Sequence, residues 1–209
     1  MHGIRWVNAM SSQNRKYELK ARAEKQAETR RRIVEATSAL HEEVGPARTT
    51  VAEIARRAGV QRLTVYNNFP DETELFAACG DHWLAENPQP DLSEALVIGD
   101  PSERLGAVLR SLYRWYRKTA QANEHLQRDR LVLPALDAVM KTRMDHQLAD
   151  LADALATGFA RLAASSKSLR PAVALALDFW TWRRLMREGM SDDDASALMV
   201  GTVSGAAHH

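Results

Sequence analysis

Apolar side chains recur at three- and four-residue spacing along most of this 209-residue chain, the period of helices that bury one face. From about Glu24 to Glu43, Ile33, Ala36 and Leu40 share such a face, and Val44 extends it. Gly45-Pro46 predicts the stop, a glycine past the helix end followed by a helix breaker. Thr50-Val51-Ala52-Glu53 predicts the next start as a capping box, Thr50 and Glu53 satisfying orphan amides reciprocally. Gly59 closes that short helix, and a further helix over about Gln61 to Asn68 ends at Phe69-Pro70. Asp71 and Glu74 form a similar box before a helix over Glu72–Glu86. Pro88, Pro90 and the acidic stretch to Asp100 read as a loop. Asp100-Pro101-Ser102-Glu103 then opens a helix expected to reach about Gln121, with an N-cap, a proline at the first helical position and an acid at the third. Pro134 starts a long helix to about Ala163. Two more follow, about Leu169–Glu188 and Asp192–Ala206, the last capped by Ser191. No segment alternates with period two between hairpin turns. The expected fold is all-α, with about nine helices.

The segment TTVAEIARRAGVQRLTVYNNFP, Thr49 to Pro70, has the makings of a helix-turn-helix. Such a motif needs a small residue where its helices cross, a glycine in the turn and apolar residues that lock the second helix onto the first. Ala55 meets the first need, and Gly59 supplies the turn, being free to adopt positive φ. Ile54, Ala58, Val60 and Val65 provide the lock. The second helix is then left with Gln61, Arg62, Thr64, Tyr66, Asn67 and Asn68 outward, donors and acceptors suited to base edges and phosphates. Arg62 suits a guanine O6/N7 pair, and Asn67 or Gln61 an adenine N6/N7 pair.

The run GPARTTVAEIARRAGVQRLTVYNNFPDETELFAA resembles the DNA-binding region of the TetR family of transcriptional regulators, over about residues 30–80. The resemblance implies three parts: a basic flexible arm over 1–25, a three-helix DNA-binding domain over 26–72, and a helical effector-binding and dimerisation domain over 73–207. It implies DNA contacts from Thr50, Gln61, Arg62, Thr64, Tyr66, Asn67 and Asn68, the hydroxyls of Thr64 and Tyr66 holding phosphate. It also implies a homodimeric repressor of a palindromic operator, released when a small molecule binds. Glu72 stands where the family often has a phosphate-binding lysine, and His41 where a core phenylalanine is usual.

Charge sharpens this picture. The chain has 28 Lys+Arg and 27 Asp+Glu, a formal net of +1, which taken alone argues against a nucleic-acid partner. Residues 1–70, however, carry 13 basic and 7 acidic side chains, and residues 71–209 carry 15 and 20. The basic surplus therefore lies with the helix-turn-helix, where phosphate would be met. Arg15, Lys16, Lys20, Arg22, Lys25, Arg30, Arg31 and Arg32 precede or open the first helix and are candidates for tracking the backbone or a minor groove.

Further along, Trp83, Leu112, Trp115, His125, Met140, Met144, Phe159 and Trp180 are candidate lining for an apolar ligand pocket. The helix Leu169–Glu188 is apolar on more than one side, which predicts burial against both its own core and a partner. Leu175, Phe179, Trp182, Met186, Ala195, Leu198, Met199 and Val203 are the expected dimer interface.

An enzyme built on His125, Asp129 and His146, with Asp145 and Asp150 nearby, is the weaker alternative, since no cluster has the spacing of a known catalytic or metal-binding motif. An activator, or an interaction protein that has lost DNA binding, is another. The single cysteine, Cys79, excludes an intramolecular disulfide and a multi-cysteine metal site. No run is long and apolar enough for a membrane span, and the first ten residues lack the apolar core of a secretory signal, so the expected compartment is the cytoplasm. No catalytic residue, metal or cofactor is assigned.

Overall fold

The computed structural model describes residues 4–160 and 167–207, with side chains from Tyr17 onward. Among the described residues every regular element is helical. Helix α1 (Ile4–Glu43) is 40 residues long and starts well ahead of the expected onset near Glu24. The basic arm thus continues the first helix. Residues 17–28 are exposed all round, and the buried face opens only at Ile33. Lys, Arg, Glu, Gln and Ala are strong helix formers without any apolar stripe, so periodicity alone could not see this extension. The side chains of Arg15 and Lys16, and the expected helix end near Ala163, lie outside the described residues.

Short helices α2 (Val51–Ala58) and α3 (Arg62–Asn68) follow, then α4 (Glu72–Glu86) and a single turn, α5 (Ser93–Leu96), inside the expected loop. The body is built from α6 (Pro101–Lys118), α7 (Ala120–Asp129), α8 (Pro134–Met140), α9 (His146–Ala160), α10 (Leu169–Leu177), α11 (Phe179–Arg187) and α12 (Asp192–Ala207). A five-residue π turn, Lys141–Asp145, joins α8 to α9. Asp100 and Ser191 cap as expected, accepting from the amides of Glu103 and Asp194 at 2.8 and 3.1 Å. The two capping boxes are one-sided. Thr50 accepts from the Glu53 amide at 3.2 Å, but the Glu53 carboxylate turns to Arg56. Asp71 accepts from the Thr73 amide, while Glu74 pairs with Arg30 at 2.7 Å. In both cases a nearby guanidinium outcompetes the helix amide for the carboxylate.

The helix expected to reach about Gln121 ends at Thr119, whose hydroxyl donates back to the Trp115 carbonyl at 2.7 Å, and α7 follows where no helix was expected. The helix expected over Leu169–Glu188 breaks at Asp178, which caps α11 by accepting from the Thr181 amide at 2.8 Å. The carbonyls freed at the end of α10 are met from α6: Tyr113 Oη donates to Ala176 O at 2.7 Å and Tyr116 Oη to Leu177 O at 2.8 Å. Burial pushes both phenols above their ordinary pKa, so each stays a donor. This break also explains the two-sided apolar pattern of residues 169–188. The turn rephases the second half, so both halves bury their faces in one core.

Two cores result. One joins Ile33, Leu40, Ile54, Val65, Phe69 and Cys79 across α1 to α4. The larger gathers Leu105, Leu109, Tyr113, Leu155, Val173 and Trp182 between α6, α9, α10, α11 and α12. Between them, α7 ends against the turn that leaves α1. Asp129 accepts from the Ala47 amide at 2.9 Å and from Arg128 Nε at 2.6 Å, with its side chain only 3% exposed. Burial alone would raise that carboxyl's pKa; Arg128 and the Ala47 amide overcome it and hold the group below its usual range. Gly45 sits over this contact at φ 93°, and a Cβ there would lie 2.5 Å from Arg128 Nη2 and 2.6 Å from Asp129 Oδ2.

Gly45→Ala therefore meets two obstacles, a backbone region that suits glycine and a collision with the buried ion pair. We expect a loss of at least about 2 kcal/mol, a fall of about 4–8 °C in melting temperature. Gly99→Ala, where an added Cβ meets only open space, should melt like the wild type in the same scan. Equal melting of the two variants would contradict the close fit at Gly45.

Candidate nucleic-acid interface

Helix α2 ends where Gly59 adopts the left-handed conformation, φ 65° and ψ 39°, and its amide bonds back to Ala55 and Arg56. The Val60 amide reaches the Ala55 carbonyl at 2.9 Å. Ala55 is 3% exposed at the crossing, and Val65 and Phe69 are buried beneath α3. These contacts fix α3 with one face outward. Gln61, Arg62, Tyr66 and Asn67 are exposed on it, and Thr64 is half-buried. Thr50, at the start of α2, is exposed as well. Arg62 makes no ion pair among the described residues, unlike Arg56 and Arg57, which are held by Glu53 and Glu43.

Asn68 is placed differently from its neighbours. Its amide donates to the Thr64 carbonyl at 2.8 Å, closing its own helix, and its backbone carbonyl accepts from Arg30. Arg30 in turn lies 3.9 Å from the centroid of the Phe69 ring and pairs with Glu74. It is a staple between α1, α3 and α4, so it leaves the set of arm cations free for phosphate. Arg31 leaves it too, paired with Glu28 and Glu35. Arg22, Lys25 and Arg32 stay exposed and outside any ion pair among the described residues, as does Arg48.

One residue on the outward face escaped the sequence reading. Leu63 is 65% exposed between Arg62 and Thr64. Its signal was legible in principle: an apolar residue on the polar side of a helix whose other side already supplies the lock.

The candidate pocket residues divide. Trp83, Met140 and Met144 line a cavity of about 90 Å³ between α1, α4, α7 and α8. Leu112 and Trp115, again with Met144, line a second of about 190 Å³ between the Gln89–Leu92 loop, α6 and α9. Three others line neither. Phe159 is packed in the larger core, and Trp180 lies at the surface, 40% exposed. His125 bonds the His41 carbonyl through Nδ1 at 3.2 Å.

The expected interface set also divides. Phe179, Trp182, Ala195, Met199 and Val203 are each at most 5% exposed inside the protomer's own core, and Met186 packs against that core. Trp182 further donates its indole N–H to Asp192 at 3.0 Å. Phe179, Trp182 and Met186 were expected there from the two-sided apolar pattern of residues 169–188, and Ala195, Met199 and Val203 from the apolar stripe of the last helix; both stripes instead face the protomer's own core. Leu175 and Leu198, 53% and 47% exposed, remain available.

Of the titratable residues of the enzyme alternative, His125, Asp129 and Asp145 are held by partners, whereas His146 and Asp150 are exposed on α9. Asp129 holds the α7 end, and Asp145 pairs with Arg130 at 2.6 Å. Among the described residues no group of three or more His, Cys, Asp or Glu is arranged to hold a metal ion, and no helix is long and apolar enough to cross a membrane. Cys79 is buried with its thiol pushed up to about 12 by desolvation, a packing residue with no thiolate to offer.

A helix-turn-helix of this geometry, carried on an all-helical body, defines a DNA-binding regulatory class. Residues 33–79 match the model of the bacterial regulatory proteins of the tetR family. The helix-turn-helix region of the chain is thus similar to the DNA-binding region of that family. It is 39% identical over 79 residues to the HTH-type transcriptional regulators Rv2250c of Mycobacterium tuberculosis and Mb2274c of Mycobacterium bovis. Those matches cover 38% of this chain and 40% of each relative, so the chain spans about two fifths of the length of the curated relatives it matches. In fold it is similar to a TetR transcription regulator from Haloarcula marismortui, with a TM-score of 0.55 at 18% identity, covering 87% of this chain and 97% of that one.

His41, at the family's usual phenylalanine position, stacks on Phe76 with ring centroids 5.5 Å apart. Burial pushes its imidazole down to about 4 from the ordinary 6.5, Asp129 opposing only weakly. Between those values the unfolded chain takes up the proton and the folded one does not. Stability is therefore full above pH 6.5 and falls as pH drops toward 4, by at most about 1.4 kcal/mol per pH unit. His41→Phe should flatten the dependence of melting temperature on pH in that window. An unchanged slope would show that His41 is not the group responsible.

Proposed function

We propose that this chain is a one-component transcriptional repressor, acting as a homodimer on a palindromic operator and released by a small-molecule ligand. The observation that carries the reading is the outward face of α3. Arg62, Leu63, Tyr66 and Asn67 are exposed there on a helix immobilised by Gly59, Val65 and the Arg30 staple. Arg62 is assigned to a guanine edge, Asn67 and Gln61 to adenine, and Leu63 to a thymine methyl. The hydroxyls of Thr50, Thr64 and Tyr66, with the free cations Arg32 and Arg48, are assigned to phosphate. Asn68 is left out of the contact set because its side chain closes the helix.

A short reading helix gains affinity and a defined site length when two copies are held one DNA turn apart, about 34 Å. For the dimer contact we propose the outward sides of α10 and α12, where Leu175 and Leu198 are exposed and Gly201 and Gly205 allow close approach. The cytoplasm is the compartment this activity requires.

Selection from a random DNA duplex pool tests the reading directly. The full chain should enrich a palindrome, and Arg62→Ala should bind it about 10- to 100-fold more weakly with relaxed choice at one position of each half-site. No enrichment by the wild type would overturn DNA-sequence recognition. For the dimer, Leu198→Glu should sediment as a monomer and lose operator affinity, whereas an intact dimer would place the contact elsewhere.

A further inference from the structure

The cavity between α1, α4, α7 and α8 has a composition that specifies its occupant. Its walls are apolar, formed chiefly by Phe76, Trp83, Leu126, Leu136, Met140 and Met144. Its volume, about 90 Å³, is smaller than the dry engineered cavity of about 150 Å³ in another protein that takes up benzene, so it admits at most one small ring, with some adjustment of its walls. Two thioethers in the wall can adjust to an irregular guest. Met144 belongs to the π turn, a local widening of the helix that often accompanies functional sites.

Three polar side chains of α1 also line it, Ser38, His41 and Glu42. Ser38 is 6% exposed, and neither the Ser38 hydroxyl nor the His41 ring makes a hydrogen bond among the described residues. Yet neither is sealed in. The buried side-chain polar atom without a partner among the described residues is Asn123 Oδ1. The free polar atoms of Ser38 and His41 therefore keep access to open space, and the space that these side chains line is this cavity. An occupant with a polar atom can bond to both, which makes the pair a hydrogen-bonding station on the cavity wall.

The remaining charges narrow the ligand further. Glu42 at the rim already accepts from the Trp83 indole at 2.6 Å. Arg143 is committed to Asp81 and to the Ala77 carbonyl. No free cation awaits an anion, and the Glu42 carboxylate repels one. An uncharged imidazole accepts a hydrogen bond, and the Ser38 hydroxyl can accept or return one.

We propose that this cavity binds a small neutral aromatic molecule carrying one O–H or N–H donor, recognised by His41 and Ser38. The recognising groups belong to the DNA-binding domain, whereas most of the apolar wall belongs to α4, α7 and α8. An occupant thus bonds to one domain while packing against the other, and it restrains α1 relative to α7. This deepens the ligand-responsive reading and rests on it for regulation, but binding itself is measurable without DNA.

Phenol, toluene and benzoate are the probes, titrated against the full-length chain by calorimetry and thermal shift. Phenol should bind and raise the melting temperature, toluene should bind about 10-fold more weakly, and benzoate should leave the chain unshifted. His41→Phe, which refills the position with an apolar ring, should erase the preference for phenol over toluene, and Ser38→Ala should reduce it. Ala122→Leu, which narrows the cavity from α7, should weaken both ligands while circular dichroism reports a folded chain. No binding by phenol, or a phenol preference that survives His41→Phe and Ala122→Leu together, overturns the proposal. Operator binding with and without phenol is the separate readout of regulation: a chain that binds phenol and keeps its DNA affinity retains the site and loses the ligand-release reading.

Discussion

The contact on which the rest of the molecule depends is the buried carboxylate of Asp129. It ends α7, accepts from the Ala47 amide and from Arg128, and sits under Gly45 where a side chain would collide. Between Gly45 and α2 the chain makes one tight turn, Pro46–Arg48, closed by the Thr49 amide and hydroxyl on Pro46 O and Gly45 O. Any displacement of α7 is therefore passed to the start of α2 through a few residues with little slack. Neighbouring bonds act along the same seam: Gln121 and His125 of α7 reach the carbonyls of Glu42 and His41, and Trp83 of α4 holds the Glu42 carboxylate. A charge buried this deeply is tolerated only because it is fully paired, so the seam is either closed or strongly disfavoured. That is the behaviour that the proposed ligand-responsive repressor needs of the joint between its two domains.

Much of this was legible in the sequence. The short helices around Gly59 followed from residue chemistry: a glycine that must turn left-handed, an alanine at a crossing and a β-branched lock. The caps at Asp100 and Ser191 followed in the same way. Local rules failed where a distant partner competed. The Glu53 and Glu74 carboxylates left their boxes for guanidinium groups, and Arg30, which reads as one more basic residue of an arm, became a staple because Phe69 and Glu74 come to meet it. The Asp178 break was invisible for a related reason. Its cap residue was present, but the two tyrosine hydroxyls that satisfy the severed carbonyls lie about 60 residues earlier.

The same distinction explains the candidate sites. The outward positions of α3 could be read because an exposed helix face is decided locally, and Asn68 departed from them only through a bond to its own helix. The interface residues could not, because an apolar stripe looks the same in sequence whether it faces the protomer's own core or a partner. Charge behaved likewise. The basic surplus of the first 70 residues is real, but Arg30, Arg31, Arg56 and Arg57 spend theirs on internal pairs. Fewer cations are left unpaired among the described residues than the sequence count suggests; in the proposed complex Arg32 and Arg48 are the ones assigned to phosphate and Arg62 to a base edge.

The central claim is that the Asp129 contact couples α7 to the DNA-reading helices. Amide hydrogen exchange on the wild type and Asp129→Asn, at a pH where both are folded, tests it most directly. The account predicts faster exchange in the variant over Ala47 to Asn68, covering α2 and α3, with α6 and α10 protected as before. Unchanged protection of α2 and α3 would contradict it.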